Sequence, residues 1–295
     1  MVKRGILPEK AKLKTKLKKV IDKQSIAWNA ARVAERGDRP RSLYASDYGS
    51  CMRKTWFQFF PEEYPIGDFD PRTLRIFHNG EDVHERLSSY LRNEVGLDFS
   101  DEIDVPRDNL EVHGRCDGIC TVDERAVVVE FKSINRKTVY EPKEEHTGQL
   151  MWYMTMWRML RDDLRADFGF APDAVITAKD IVGKVGNSGR KSEDLSKEEK
   201  WILLTQGDIQ GELIYESKQC QETFHFSFEY DPEKVAKVRL WFEQVDWHVA
   251  HKKMPAVRYD KSKFPCSWGK GNGAGRCAYF EECWGKDDGE HNNTK

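Results

Sequence analysis

The stretch GRCDGICTVDERAVVVEFKSI, residues 114–134, constrains the fold more than any other part of the chain. Its second half packs Ala126, Val127, Val128 and Val129 together, and β-branched residues fit a pleated, half-buried surface. Two strands are therefore expected, with the polar Val122-Asp123-Glu124-Arg125 between them as a turn. A symmetric hairpin centred between Asp123 and Glu124 pairs Val122 with Arg125 and, counting outward, Asp117 with Glu130. Side chains alternate along a strand, so Lys132 shares the face of Glu130. Two carboxylates and an amine thus meet on one face. Like charges directly across a ladder are destabilising, and a divalent cation between them removes the conflict. Carboxylate oxygens with few other ligands suit magnesium or manganese, which complete their shells with water and substrate phosphate. The chemistry expected of such a face is phosphodiester hydrolysis. In that reading Lys132 orients the attacking water or steadies developing negative charge.

A chain of 295 residues holds one large domain or two small ones, and 39% apolar residues with nine Trp and fifteen Phe supply a sizeable core. The formal net charge of −2 argues against a protein whose whole surface attracts polyanions, so a nucleic-acid surface has to be local. Residues 1–40 read as a basic arm and helix, with Lys10, Lys12, Lys14, Lys16, Lys18 and Lys19 crowded into a solvated or phosphate-contacting run. No stretch is apolar for the length of a membrane span, and the N-terminus lacks the apolar core of a secretory signal; a cytoplasmic location and no membrane partner are expected. Seven cysteines, an odd number, argue against a secreted disulfide framework and for metal or cluster ligation by some of them.

Helices are expected over residues 20–36, over the segment after Ser46 or Asp47, and over PRTLRIFHNGEDVHERLSSYLRNEV, where Leu74, Phe77, Val83, Leu87 and Leu91 recur at helical intervals. After the hairpin, HTGQLMWYMTMWRML reads as a long apolar helix and DAVITAKDI as a strand. Residues 183–199 are polar and Gly/Ser-rich and read as a mobile loop without a core. ETFHFSFEY reads as a strand and PEKVAKVRLWFEQVDWHVAHK as a helix opened by Pro232. The last residues, 286–295, are expected to be a disordered tail.

On the helix before the hairpin, Gly80 and His84 lie four residues apart; on the one after it, Gln149 and Tyr153 do. The order Gly-x3-His, Asp, Glu-x-Lys, Gln-x3-Tyr resembles the RecB-like branch of the PD-(D/E)xK nucleases, which includes the RecB and AddB nuclease domains and CRISPR-associated exonucleases. The resemblance implies an α/β restriction-endonuclease-like core over residues 41–285, a central mixed sheet flanked by helices. It further implies that His84, Asp117, Glu130 and the carbonyl of Phe131 hold Mg or Mn, that Lys132 is the catalytic lysine, and that Gln149 and Tyr153 contact DNA or support the site. The histidine points to the end-processing branch, hence an exonuclease on single strands or DNA ends; a structure-specific endonuclease and a DNA-end-binding scaffold for a recombinase, integrase or helicase are the rivals. Trp56, Phe57, Trp152 and Tyr153 are candidates for base stacking and Arg53 and Lys54 for phosphate contacts.

Cys51 precedes this core, whereas Cys266, Cys277 and Cys283 follow it, an arrangement similar to that of the iron–sulfur subgroup of the same nucleases. The resemblance implies a [4Fe–4S] cluster joining the N- and C-terminal segments, with structural zinc as the alternative. The departure lies between Cys266 and Cys277, where SWGKGNGAGR replaces the two residues usual in that subgroup. Cys116, Cys120 and Cys220 read as ordinary core or strand thiols.

Overall fold

The Asp123-Glu124 turn forms as the sequence requires, although neither residue is glycine: both have left-handed backbones, with φ of 48° and 63°, the conformation a two-residue hairpin needs to match strand twist. In the computed structural model, residues 8–36, 41–65, 69–94, 97–256, 259, 266 and 277–284 are described, with side chains in the first helix from residue 17 onward. The expected tail at 286–295 and the Gly-rich insertion at 267–276 lie outside the described residues.

The turn joins β2 (Arg115–Val122) to β3 (Arg125–Ile134). Their register is the expected one, from Val122↔Arg125 to Gly118↔Val129. A strand the sequence reading missed, β1 (Phe99–Asp104), pairs antiparallel with β2. A second missed strand, β4 (Gln210–Ser217), runs parallel to β3, and β5 (Thr223–Phe228) closes the edge antiparallel to β4. The result is a mixed five-stranded sheet in the order β1-β2-β3-β4-β5.

Packing divides the chain into two units. One comprises Met1–Pro40 and Gly67–Val83, the other Arg41–Ile66 and His84–Lys295. In the first, α1 (Pro8–Arg36) begins well before residue 20, so the lysine run belongs to the helix. Asp22 of α1 accepts from Arg75 at 2.8 Å, and Trp28 stacks on His78 with ring centroids 4.4 Å apart. Arg75 and His78 lie on α3 (Pro71–Arg92), of which the residues from His84 onward count with the second unit.

In the second unit, α2 (Met52–Phe57) starts at Cys51, and α4 (Glu144–Asp167) packs on β3 and β4. Leu150, Trp152 and Met154 of α4 are buried with Ile119, Val128 and Leu213 of the sheet and with Phe242 of α7 (Pro232–Ala250). As expected, Pro232 opens α7, and Asp231 caps it by accepting from the amides of Glu233 and Lys234. At Gly148 of α4 a Cβ would stand 2.1 Å from Cε1 of Tyr48. Gly148→Ala is accordingly expected to destabilise the fold by about 1–3 kcal/mol, read as a lower denaturant midpoint.

Two expectations fail in the segment after α4. The stretch 173–181 is no strand: its end forms the short α5 (Ala178–Ile181), because Thr177 and Asp180 cap one another's backbones. Residues 183–199 are ordered by Asp167, which accepts from the amide and hydroxyl of Ser188, and by a bridge between Val185 and Lys191. Leu195 is buried there with Leu164 and Ile176, and Ser196 caps α6 (Lys197–Leu204). Near the C-terminus, α8 (Phe280–Trp284) is a single short helix. Among the described residues no helix is long and apolar enough to cross a membrane.

Candidate active site

Pairing is interrupted on both sides of Asp117. Its neighbour on β1, Glu102, has a φ of 53° and is skipped by the ladder, and the β2–β3 pairing stops at Gly118↔Val129. A left-handed backbone at a glutamate costs on the order of 1 kcal/mol and marks a place the surrounding structure over-determines. The opening lets the Asp117 side chain replace the missing strand contact: its Oδ2 accepts from the Phe131 amide at 2.6 Å. Its Oδ1 lies 3.0 Å from His84 Nδ1 on α3. Burial works against the charged imidazole, but the hydrogen bond and charge of Asp117, with Glu130 behind it, hold the His84 pKa above its ordinary value.

Glu130 is 2% exposed. Its Oε1 accepts from Lys132 Nζ at 2.5 Å and from Gln149 Nε2 at 2.8 Å, whereas Oε2 is buried with no partner. Burial first, and the Asp117 charge second, push its pKa up to about 7. Burial disfavours the charged Lys132 amine, yet the Glu130 and Asp117 carboxylates keep its pKa raised. Gln149 also donates to the Tyr153 hydroxyl at 2.8 Å, and Tyr153 lies against Gly114, where a Cβ would come within 2.4 Å of its ring. Burial, then Glu130, drives the Tyr153 pKa well above the phenol range.

His84, Asp117, Glu130, Lys132, Gln149 and Tyr153 are thereby brought together, with Phe131 held between the second carboxylate and the lysine. Among the described residues no three His, Cys, Asp or Glu side chains already converge in metal-ligand geometry; His84 and Asp117 bond each other, and Glu130 turns one oxygen to Lys132 and Gln149. The donor set nonetheless fits a hard divalent cation: an imidazole and two carboxylates, one of which has a buried oxygen without a partner among the described residues.

One group beside the site escaped the sequence reading. His146 Nδ1 lies 2.9 Å from the Tyr215 hydroxyl, which also accepts from the Lys143 amide. Burial, with the Lys132 and Lys143 charges, lowers the His146 pKa to about 3. Its spacing of three from Gln149 was the available signal, but Tyr215 sits on the strand that was missed.

The proposed stacking residues do not face solvent: Trp56, Phe57, Trp152 and Tyr153 are all buried. Arg53 is buried too, its Nε donating to the Pro255 carbonyl at 2.6 Å, so it offers no phosphate contact. Cys116 and Cys120 are buried strand thiols as expected, but Cys220 is exposed.

Cys51, Cys266, Cys277 and Cys283 line one small cavity of about 10 Å³, together with Lys54 and Tyr279. The Cys277 amide donates to the Cys266 carbonyl at 2.9 Å, and Tyr279 stacks on Phe57 with centroids 4.9 Å apart. Burial raises the Cys277 and Cys283 thiols, while Lys54 opposes this at Cys277 and a hydrogen bond from Arg53 opposes it at Cys283.

No protein of curated function matches the chain. The crystal structure of SSO0001 is similar over 82% of this chain and 89% of that one, with a TM-score of 0.46 and 13% identity. The structure of LHK-Exo in complex with dAMP is similar over 72% and 89%, with a TM-score of 0.36 and 10% identity. Residues 28–283 match the family model of the PD-(D/E)XK nuclease superfamily, and the chain belongs to that superfamily.

Proposed function

We propose that the protein is a Mg- or Mn-dependent deoxyribonuclease that degrades DNA from accessible ends, as an exonuclease on single strands. The observation that carries this reading is the unpartnered Glu130 Oε2, on a buried carboxylate whose other oxygen accepts from Lys132 and Gln149. His84, Asp117, Glu130 and the Phe131 carbonyl would hold the cation, which when bound supplies a polarised phosphate and an acidified water. Lys132, kept protonated by two carboxylates, stands ready to stabilise charge that develops on the phosphate. Gln149 fixes Glu130 and Tyr153 at once and so positions the carboxylate. The preference for ends rests on the RecB-like resemblance at His84.

The same resemblance supports a [4Fe–4S] cluster on Cys51, Cys266, Cys277 and Cys283, tying the chain's early and late segments. Structural zinc on the same four thiols is the alternative. Iron, sulfide and zinc analysis of anaerobically purified protein separates the two.

The nuclease reading is tested with end-labelled linear and circular DNA, single- and double-stranded, with magnesium or manganese. Wild type is expected to degrade linear single strands only, and Lys132→Ala to be slower by about 10²–10³-fold. Cleavage of circles would make it an endonuclease. DNA binding without cleavage of any substrate would favour the end-binding scaffold.

A further inference from the structure

The C-terminal half of α4 carries a second cluster of chemistry-bearing side chains, remote from the first. Arg158, Arg161 and Arg165 begin nine residues beyond Gln149, so they stand roughly 14–24 Å further along the helix axis. They line a cavity of about 440 Å³ whose other walls come from residues 172–175 and 206–208. Arg161 and Arg165 are 5% and 4% exposed.

The three guanidinium groups are not equally served. Arg158 pairs with Asp208 at 3.2 Å and lies over the Tyr230 ring. Arg161 donates to the Gly207 carbonyl at 2.6 Å and to Asp162 at 3.1 Å, with Asp208 at 3.9 Å. Arg165 donates only to carbonyls, those of Pro172 and Thr205, and its Nε is buried with no partner. Among the described residues no carboxylate forms an ion pair with it. Burial, then the neighbouring Arg161 charge, presses its pKa below the usual guanidinium range, with Asp162 and Asp173 opposing this from further away. A buried charge lacking its counter-ion is costly unless an anion completes the site.

We infer that this cavity is an anion site for a terminal phosphomonoester, with Arg165 and Arg161 as its floor. A phosphomonoester offers several oxygens and up to two charges to a pair of guanidinium forks, the match for which arginine is suited. At about 440 Å³ the cavity falls in the range of small-molecule pockets, roughly 300–1,000 Å³. Asp162, Asp173 and Asp208 also line the cavity, where they can accept hydrogen bonds from sugar hydroxyls or base amino groups. The ligand is thus a free nucleoside monophosphate or the phosphorylated end of a strand. The inference does not depend on the nuclease reading, since no residue of the first site takes part.

The test is calorimetric titration of the full chain, without added divalent metal and at matched ionic strength. Thymidine 5′-monophosphate and inorganic phosphate are expected to bind, and thymidine to be silent. Val175, 70% exposed on the cavity wall, provides variants that leave the core untouched. Val175→Glu is expected to weaken the nucleotide by about tenfold and Val175→Lys to tighten it, with Arg165→Gln losing it altogether. An oligonucleotide whose 5′-phosphate adds affinity in wild type but not in Val175→Glu identifies a strand end as the source; nucleotide binding without that difference identifies a free nucleotide. Absence of phosphomonoester binding, or equal binding by wild type and Val175→Glu, overturns the inference.

Discussion

Glu130→Ala is expected to lower metal-dependent cleavage by about 10³-fold or more while leaving metal-free DNA binding within about twofold of wild type. The magnitude follows from what the side chain does. It contributes the one buried carboxylate oxygen without a partner among the described residues, and its other oxygen holds both Lys132 and Gln149. Alanine removes a proposed cation ligand and releases the lysine in one step. Initial rates on a linear single strand with manganese measure the loss. A second readout separates ligand loss from misfolding: manganese should raise the melting temperature of wild type by the usual binding linkage and leave that of Glu130→Ala unmoved. A variant that cleaves at the wild-type rate would remove Glu130 from the site altogether.

The second large effect concerns the opposite kind of site. Cys51→Ser is expected to strip the bound iron or zinc and to destabilise the protein severely, since structural metal sites contribute on the order of 10 kcal/mol to folding. Cys51 opens α2, whereas Cys277 and Cys283 flank the start of α8, so the metal would join elements more than 200 residues apart in sequence. Cys220→Ser is the control: that thiol is exposed and far along the chain from the other four, and its loss should change neither metal content nor melting temperature. Metal analysis and thermal melts of the two variants side by side decide the matter. Unchanged metal content in Cys51→Ser would break the proposed set of four.

The hairpin was legible because its constraint is binary. A one-residue slip would carry Val128 to the wrong face, and the two-residue turn leaves only one register. Strand β4 was not legible, because QGELIYES interrupts its apolar residues with Glu212 and Glu216. Buried Glu216 is paired with Arg86 of α3, a partner 130 residues away that no local pattern announces. At residues 173–181 the β-branched residues of DAVITAKDI suggested a strand, but the capping of Thr177 and Asp180 won over propensity in so short a piece. The aromatic residues were misread for a related reason: helical spacing places Trp152 and Tyr153 on a helix, but α4 is covered on nearly all sides over its first half, so neither faces outward. Within the first site, spacing located His84, Asp117, Glu130, Lys132, Gln149 and Tyr153, whereas His146 needed Tyr215 and therefore the strand that was overlooked.

The parallel pairing of β3 with β4 has a further consequence for how the site comes into being. The β2–β3 hairpin closes through two turn residues and belongs to the microsecond events of folding. Val127 and Gln210, which begin the parallel ladder, are about 80 residues apart, and such a loop closes late. Until β4 and α4 arrive, Asp117 and Glu130 stand opposite each other in water, where hydration screens their repulsion and competes for any cation. Dehydration of the carboxylates, and with it the affinity that an ion would feel, is a property of the last contact made. A chain in which that ladder has not yet formed would therefore hold the acidic pair without the buried setting that the proposed reaction needs.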